Sequence, residues 1–182
     1  IARILWELTH LIHLNQSALL ATFDAVAVVD LIVAKLRMAK RFDMAIPLIN
    51  PDHALNLRAA RNPTLLAIAA DSEAAGGPER KVVPIDVRLG EDFDVLMVTG
   101  PNTGGKTAAL KTVGLLALMA QTGLPIPAAD GSTLPVFDDV LVDIGDEQSL
   151  QQSLSTFSAH LVRVLDVLQR GTRNTLVLID EL

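Results

Sequence analysis

The chain contains no cysteine. A disulfide framework and a thiolate zinc site are therefore both excluded. It begins with Ile1-Ala2-Arg3 rather than Met, and no charged segment followed by an apolar run opens it, so nothing reads as a signal peptide. No stretch reaches the roughly 18 uncharged apolar residues that a membrane span requires, and a cytoplasmic protein with no membrane partner is the expectation. An excess of positive charge is missing too. Fifteen Lys and Arg face 21 Asp and Glu, giving a net charge of −6 and a pI near 5.1. A domain that grips duplex DNA is usually basic over one face. If nucleic acid is a partner, other parts of the protein are expected to hold it. The four histidines, His10, His13, His53 and His160, show no metal-ligand spacing. No internal repeat and no low-complexity tract is visible.

Half of the 182 residues are apolar, enough for one sizeable core. The mean hydropathy of +0.39 is high for a soluble domain of this size. The first residues are already in helical pattern, and Ile179-Asp180-Glu181-Leu182 stops at the end of a strand pattern. These features read as a piece of a larger protein, with apolar surface meant for other segments.

Residues 1–46 hold neither Gly nor Pro. Ile1, Ile4, Leu5, Leu8, Leu11 and Ile12, and then Leu19, Phe23 and Val26, recur at helical spacing. One long helix, or two, should reach about Arg41. Lys35, Arg37, Lys40 and Arg41 gather near its end, where cations suit the helix dipole; a phosphate-binding patch is the other reading. Pro47 and Pro51 break the pattern. Short strands are expected around 54–58, 64–69 and 82–88, with a polar Gly/Pro-bearing loop over 71–81. Val95-Leu96-Met97-Val98 fits a buried strand. A helix should run from Lys106 to about Thr122 with Gly123 as its C′ residue. A strand from Val136 to Ile144, a helix from about Leu154 to Gln169 and a buried strand over Thr175–Ile179 complete the pattern. Alternating strands and helices imply an α/β layer with part of its sheet parallel.

The segment that carries chemistry is Gly100-Pro101-Asn102-Thr103-Gly104-Gly105-Lys106-Thr107. It matches G-x-x-x-x-G-K-[ST] between an expected strand and an expected helix. Gly100, Gly104 and Gly105 let the backbone curl so that N–H groups point inward at phosphate oxygens. The helix behind them adds its positive end. Lys106 can reach the β- and γ-phosphates of a nucleoside triphosphate, and the Thr107 hydroxyl can ligate Mg²⁺. A chance match at all four fixed positions falls well below about 1%. The second half of such a site is an acid at the end of a buried strand. Leu176-Val177-Leu178-Ile179-Asp180-Glu181 supplies it, with Asp180 for the Mg²⁺ shell and Glu181 as general base toward the attacking water. Taken alone, two acids after an apolar run are equally a strand ending in solvent.

These residues resemble the MutS family. Its members carry a G-P-N-x-G-G-K-[ST] loop, and the Pro101-Asn102 pair is much more specific than the general pattern. Leu154-Ser155-Thr156-Phe157 matches the S-T-F of the family's signature loop. Asp143-Ile144-Gly145-Asp146-Glu147-Gln148-Ser149, Leu110 to Gln121 and Ile126-Pro127-Ala128 resemble the second bacterial branch, linked to recombination control and ribosome rescue and often ending in an Smr nuclease domain. The likeness covers the whole chain. It implies a P-loop NTPase of ABC type, with a mixed sheet flanked by helices and preceded by long lever-type helices. Residues 1–42 would be the end of the helical lever region, and residues 43–182 the N-terminal part of the ATPase domain. It implies ATP and Mg²⁺ as cofactors, with residues 100–107 binding nucleotide. It also implies a homodimer in which Ser155 and Thr156 face the partner's γ-phosphate while Asn102 touches it in cis. On local grounds alone Ser155 reads as a helix N-cap. Branched or mismatched DNA, the ribosome through its rRNA, and any nuclease activity would belong to regions outside this chain.

Two departures stand out. Ala60-Arg61-Asn62-Pro63 lies where many relatives have A-R-H-P near the adenine side, so Asn62 is not assigned a stacking role. The chain also ends at Leu182, before the family's later catalytic His and dimerising helices. Two other readings are an ABC ATPase of transporter type, which would normally show L-S-G-G-Q where this chain has S-L-S-T-F, and a nucleotide-binding fragment without turnover.

Overall fold

The computed structural model describes residues 1–101, 105–144 and 153–180, without the side chains of 153–160. The Gly- and Pro-free opening forms two helices, α1 (Ala2–Leu14) and α2 (Gln16–Phe42). They part at Asn15, whose side-chain amide donates back to the Leu11 carbonyl at 2.8 Å. Such local competition with the helical ladder is what makes Asn a helix breaker. α2 is long and apolar enough to cross a membrane by length and composition alone, although Asp24 and Asp30 lie within it. Neither helix has a buried residue among the described ones. Trp6 stacks on His10 with ring centroids 5.2 Å apart.

α2 ends at Asp43 in a left-handed conformation and is fastened to downstream parts of the chain. Lys35 Nζ donates to the Gly123 carbonyl at 3.0 Å. The Arg61 guanidinium donates to the carbonyls of Phe42 and Asp43 at 2.9 and 2.6 Å. Arg41 lies over the Phe42 ring and 3.8 Å from Asp71. These short contacts turn the end of α2 toward the rest of the protein.

One sheet has the order β1 (Leu48–Ile49), β4 (Thr133–Leu134), β2 (Leu55–Ala60), β3 (Ile85–Leu89). β1 and β4 run parallel, and the other two pairings are antiparallel. A second sheet pairs β5 (Asp139–Asp143) with β6 (Thr175–Ile179) in parallel, Asp143 opposite Ile179. Helix α4 (Lys106–Gln121) packs on this material, and Gly123 beyond it has φ +70°. Val113, Leu116 and Ala117 of α4 share one core with Leu55, Leu57, Ile126, Leu134, Leu176 and Leu178. Leu116→Ala should therefore lower unfolding free energy by about 2–5 kcal/mol, measured by denaturant titration, because the side chain is fully buried and its loss leaves a cavity. Helix α5 (Ser153–Arg170) is tied to β5 at both ends of the strand. Arg163 pairs with the buried Asp143 at 2.5 Å, and Arg170 pairs with Asp139. The hydrogen bond and charge of Asp139, with the charge of Asp166, hold the Arg170 guanidinium above its ordinary pKa.

Two expectations are corrected. Residues 64–69 are not a strand but part of α3 (Pro63–Ala74). Pro63 occupies the first helical turn with its φ already set, and Asn62 caps it by accepting from the N–H groups of Thr64 and Leu65. A short apolar run does not by itself distinguish strand from helix, and here the cap decides. Val95 to Val98 form no strand and are not buried, with exposures of 78, 46, 73 and 45%. A strand exists only where a neighbour accepts its ladder, and no described strand pairs with this run.

Candidate functional site

α4 begins directly after the phosphate-loop motif. Its N-cap, Gly105, has φ +82°, and Gly100 at the start of the loop has φ +141°. Both values lie where a Cβ is strained, so the motif's glycines answer a backbone need here. Among the described residues no side chain caps the helix, and its N-cap is a glycine with no side chain to offer. Lys106 reaches back to the start of the motif, where its Nζ donates to the Gly100 carbonyl at 2.5 Å. Pro101 is exposed at the loop's start. Asn102, Thr103 and Gly104 lie outside the described residues, as do Glu181 and its neighbour Leu182.

Thr107 succeeds Lys106 and points elsewhere. Its hydroxyl donates to Asp180 Oδ2 at 2.5 Å, joining positions 73 residues apart in sequence. Asp180 sits at the exit of β6, where its N–H donates to the Asp143 carbonyl at the end of β5. The parallel register of β5 and β6 therefore aims Asp180 at the first turn of α4. Two oxygen donors converge there. Octahedral Mg²⁺ places adjacent ligand oxygens about 3.0 Å apart, given bonds of about 2.1 Å. The Thr107–Asp180 pair is about half an ångström closer than that spacing, and two hard oxygen donors on adjacent elements suit a small hard cation beside a phosphate.

Positions 155 and 156 fall inside the first turn of α5, which starts at Ser153. Ser155 is thus within the helix and is not its N-cap. The side chains of both residues are outside the described set.

Sequence reasoning left out one residue that the structure brings beside the site. Asn62 is 7% exposed and contacts α4 through the Thr112 hydroxyl at 3.1 Å. The signal was available as Asn before Pro, a common cap ahead of a common first helical residue. Its second set of contacts, made across 50 residues, has no local signature.

Comparison with known proteins points the same way. Residues 96–182 match the family model described as MutS domain V. The whole chain is similar to proteins named endonuclease MutS2. Identity is 48% to that of Agathobacter rectalis, 47% to that of a Geobacillus species and 45% to that of Caldanaerobacter subterraneus subsp. tengcongensis, each over 182 residues. All of this chain is covered in each case, and it spans 22% of the length of these curated relatives. The resemblance read from the sequence is thereby established: residues 96–182 belong to MutS domain V, and the whole chain aligns with the MutS2 branch of that family.

Proposed function

We propose that this chain binds ATP with Mg²⁺ and forms part of an ATP-hydrolysing domain of ABC type in a MutS-like DNA-processing protein. The observation that carries the reading is the convergence of the Thr107 hydroxyl and the Asp180 carboxylate beside Lys106. In this reading residues 100–107 hold the phosphates, Lys106 neutralises charge on the β- and γ-phosphates, and Thr107 and Asp180 hold the cation. Bound Mg²⁺ would supply charge neutralisation between phosphate oxygens. Glu181 would accept a proton from the attacking water. Residues 1–42 serve as the end of a lever region, and residues 43–182 as the leading part of the ATPase domain. Ser155 and Thr156 complete the site of a second copy in a homodimer. The relatives' name, endonuclease, supports a role on DNA; branched or mismatched DNA, or the ribosome, would be engaged by other regions of a cytoplasmic protein.

The test is binding of a fluorescent ATP analogue as a function of Mg²⁺. The Asp180→Asn variant should need on the order of tenfold more Mg²⁺ for half-maximal binding, because the amide is a poorer ligand and a poorer acceptor for Thr107. A variant with the same Mg²⁺ dependence as the native chain would sink the assignment of the cation site.

A further inference from the structure

Asn62 does more than cap a helix. Its Oδ1 accepts from the N–H groups of Thr64 and Leu65 at 3.0 and 3.1 Å. Those two donors fix which end of the amide is oxygen. The Nδ2 end therefore faces α4, where it donates to Thr112 Oγ1 at 3.1 Å and lies 3.5 Å from the Ala108 carbonyl. Thr112 is itself buried and passes its own proton to the same Ala108 carbonyl at 2.6 Å. Ala108 is the residue after Thr107.

For capping alone, Ser or Asp would serve α3 about as well as Asn. What neither supplies is a second donor long enough to reach the neighbouring helix. The preceding residue is anchored to other elements. The Arg61 N–H donates to the Pro127 carbonyl at 2.8 Å, and its guanidinium holds the end of α2. Residues 61 and 62 thus form a fixed point, and from it Asn62 reaches the first two turns of α4. A 16-residue helix is about 24 Å long. Tilting it by about 3° about its far end moves its first turn by roughly 1 Å, enough to disturb the 2.5 Å contact between Thr107 and Asp180.

We propose that Asn62 is a positioning residue of the nucleotide site, which sets where α4 presents Thr107 to the cation through its bond to Thr112. The proposal rests on the nucleotide reading given above. It also means that the Asn62 amide is spent on protein groups and is not a contact for a bound base.

The test compares Asn62→Ser, Asn62→Ala and Thr112→Val in the full-length protein, by thermal unfolding and by the Mg²⁺ dependence of fluorescent ATP-analogue binding. Serine keeps the cap but cannot reach α4, alanine loses both, and valine removes the acceptor at constant shape. All three should raise the Mg²⁺ concentration for half-maximal binding by roughly three- to tenfold, within the range that outer contacts of a metal site command. Asn62→Ala should also unfold at lower temperature than Asn62→Ser. The Asn62→Ser/Thr112→Val double variant should be no worse in Mg²⁺ dependence than either single one, as expected for two residues acting through one bond. A native Mg²⁺ dependence in both Asn62→Ser and Thr112→Val would reduce Asn62 to a helix cap. If instead the unmutated full-length protein shows no Mg²⁺-dependent nucleotide binding, the nucleotide reading itself falls.

Discussion

Lys106→Ala is expected to lower kcat/KM for ATP in the full-length protein by on the order of 10²-fold or more. The ammonium is held at the start of the motif, donating to the Gly100 carbonyl. It is thus a preorganised charge, and such charges act most strongly where negative charge is shared between bridging and terminal oxygens in the transition state. Alanine leaves the loop's glycines and the start of α4 in place, so weak ground-state binding through backbone N–H groups should persist. Steady-state phosphate release at several ATP concentrations measures the effect. An unchanged kcat/KM would remove Lys106, and with it the phosphate loop, from the proposed site.

The second large effect is expected from Glu181→Gln. The substitution keeps length and shape and removes the basic oxygen, so ATP should still bind within a few-fold of the native affinity. Turnover should fall by roughly 10²- to 10⁴-fold, the range a general base contributes. Affinity and hydrolysis have to be measured on the same preparation, because only their divergence identifies a base. Normal hydrolysis by this variant would transfer the role to another group.

Legibility in the sequence depends on how local each signal is. α4 and its closing Gly123, α5, and the β5 and β6 pair were readable because a strong motif or a long periodic run specifies each. Lys106, Thr107 and Asp180 could be named as a set because the spacing of a phosphate loop and a strand-ending acid carries chemistry directly. α3 was misread because a short apolar run carries no reliable period, and the deciding cap lies just outside it at Asn62. β1 and β4, two residues each, were not foreseen. β4 pairs with both β1 and β2, and β1 with β4, each across a long stretch of intervening chain, which leaves no trace in the segments themselves. The grip of Asn62 on Thr112 was invisible for the same reason.

The run Val95–Val98 has a consequence for handling the protein. Its apolar side chains lie open, and among the described residues β6 pairs on one side alone, with β5. An unpaired strand edge offers a row of N–H and C=O groups to any extended segment of suitable hydrophobicity. Four consecutive apolar residues free of charge and proline are such a segment, whether they come from the same molecule or from the next. Association through such an edge is a second-order process, so soluble yield on refolding should depend on dilution more than on temperature. A single lysine within the run would act as a gatekeeper against edge-to-edge growth.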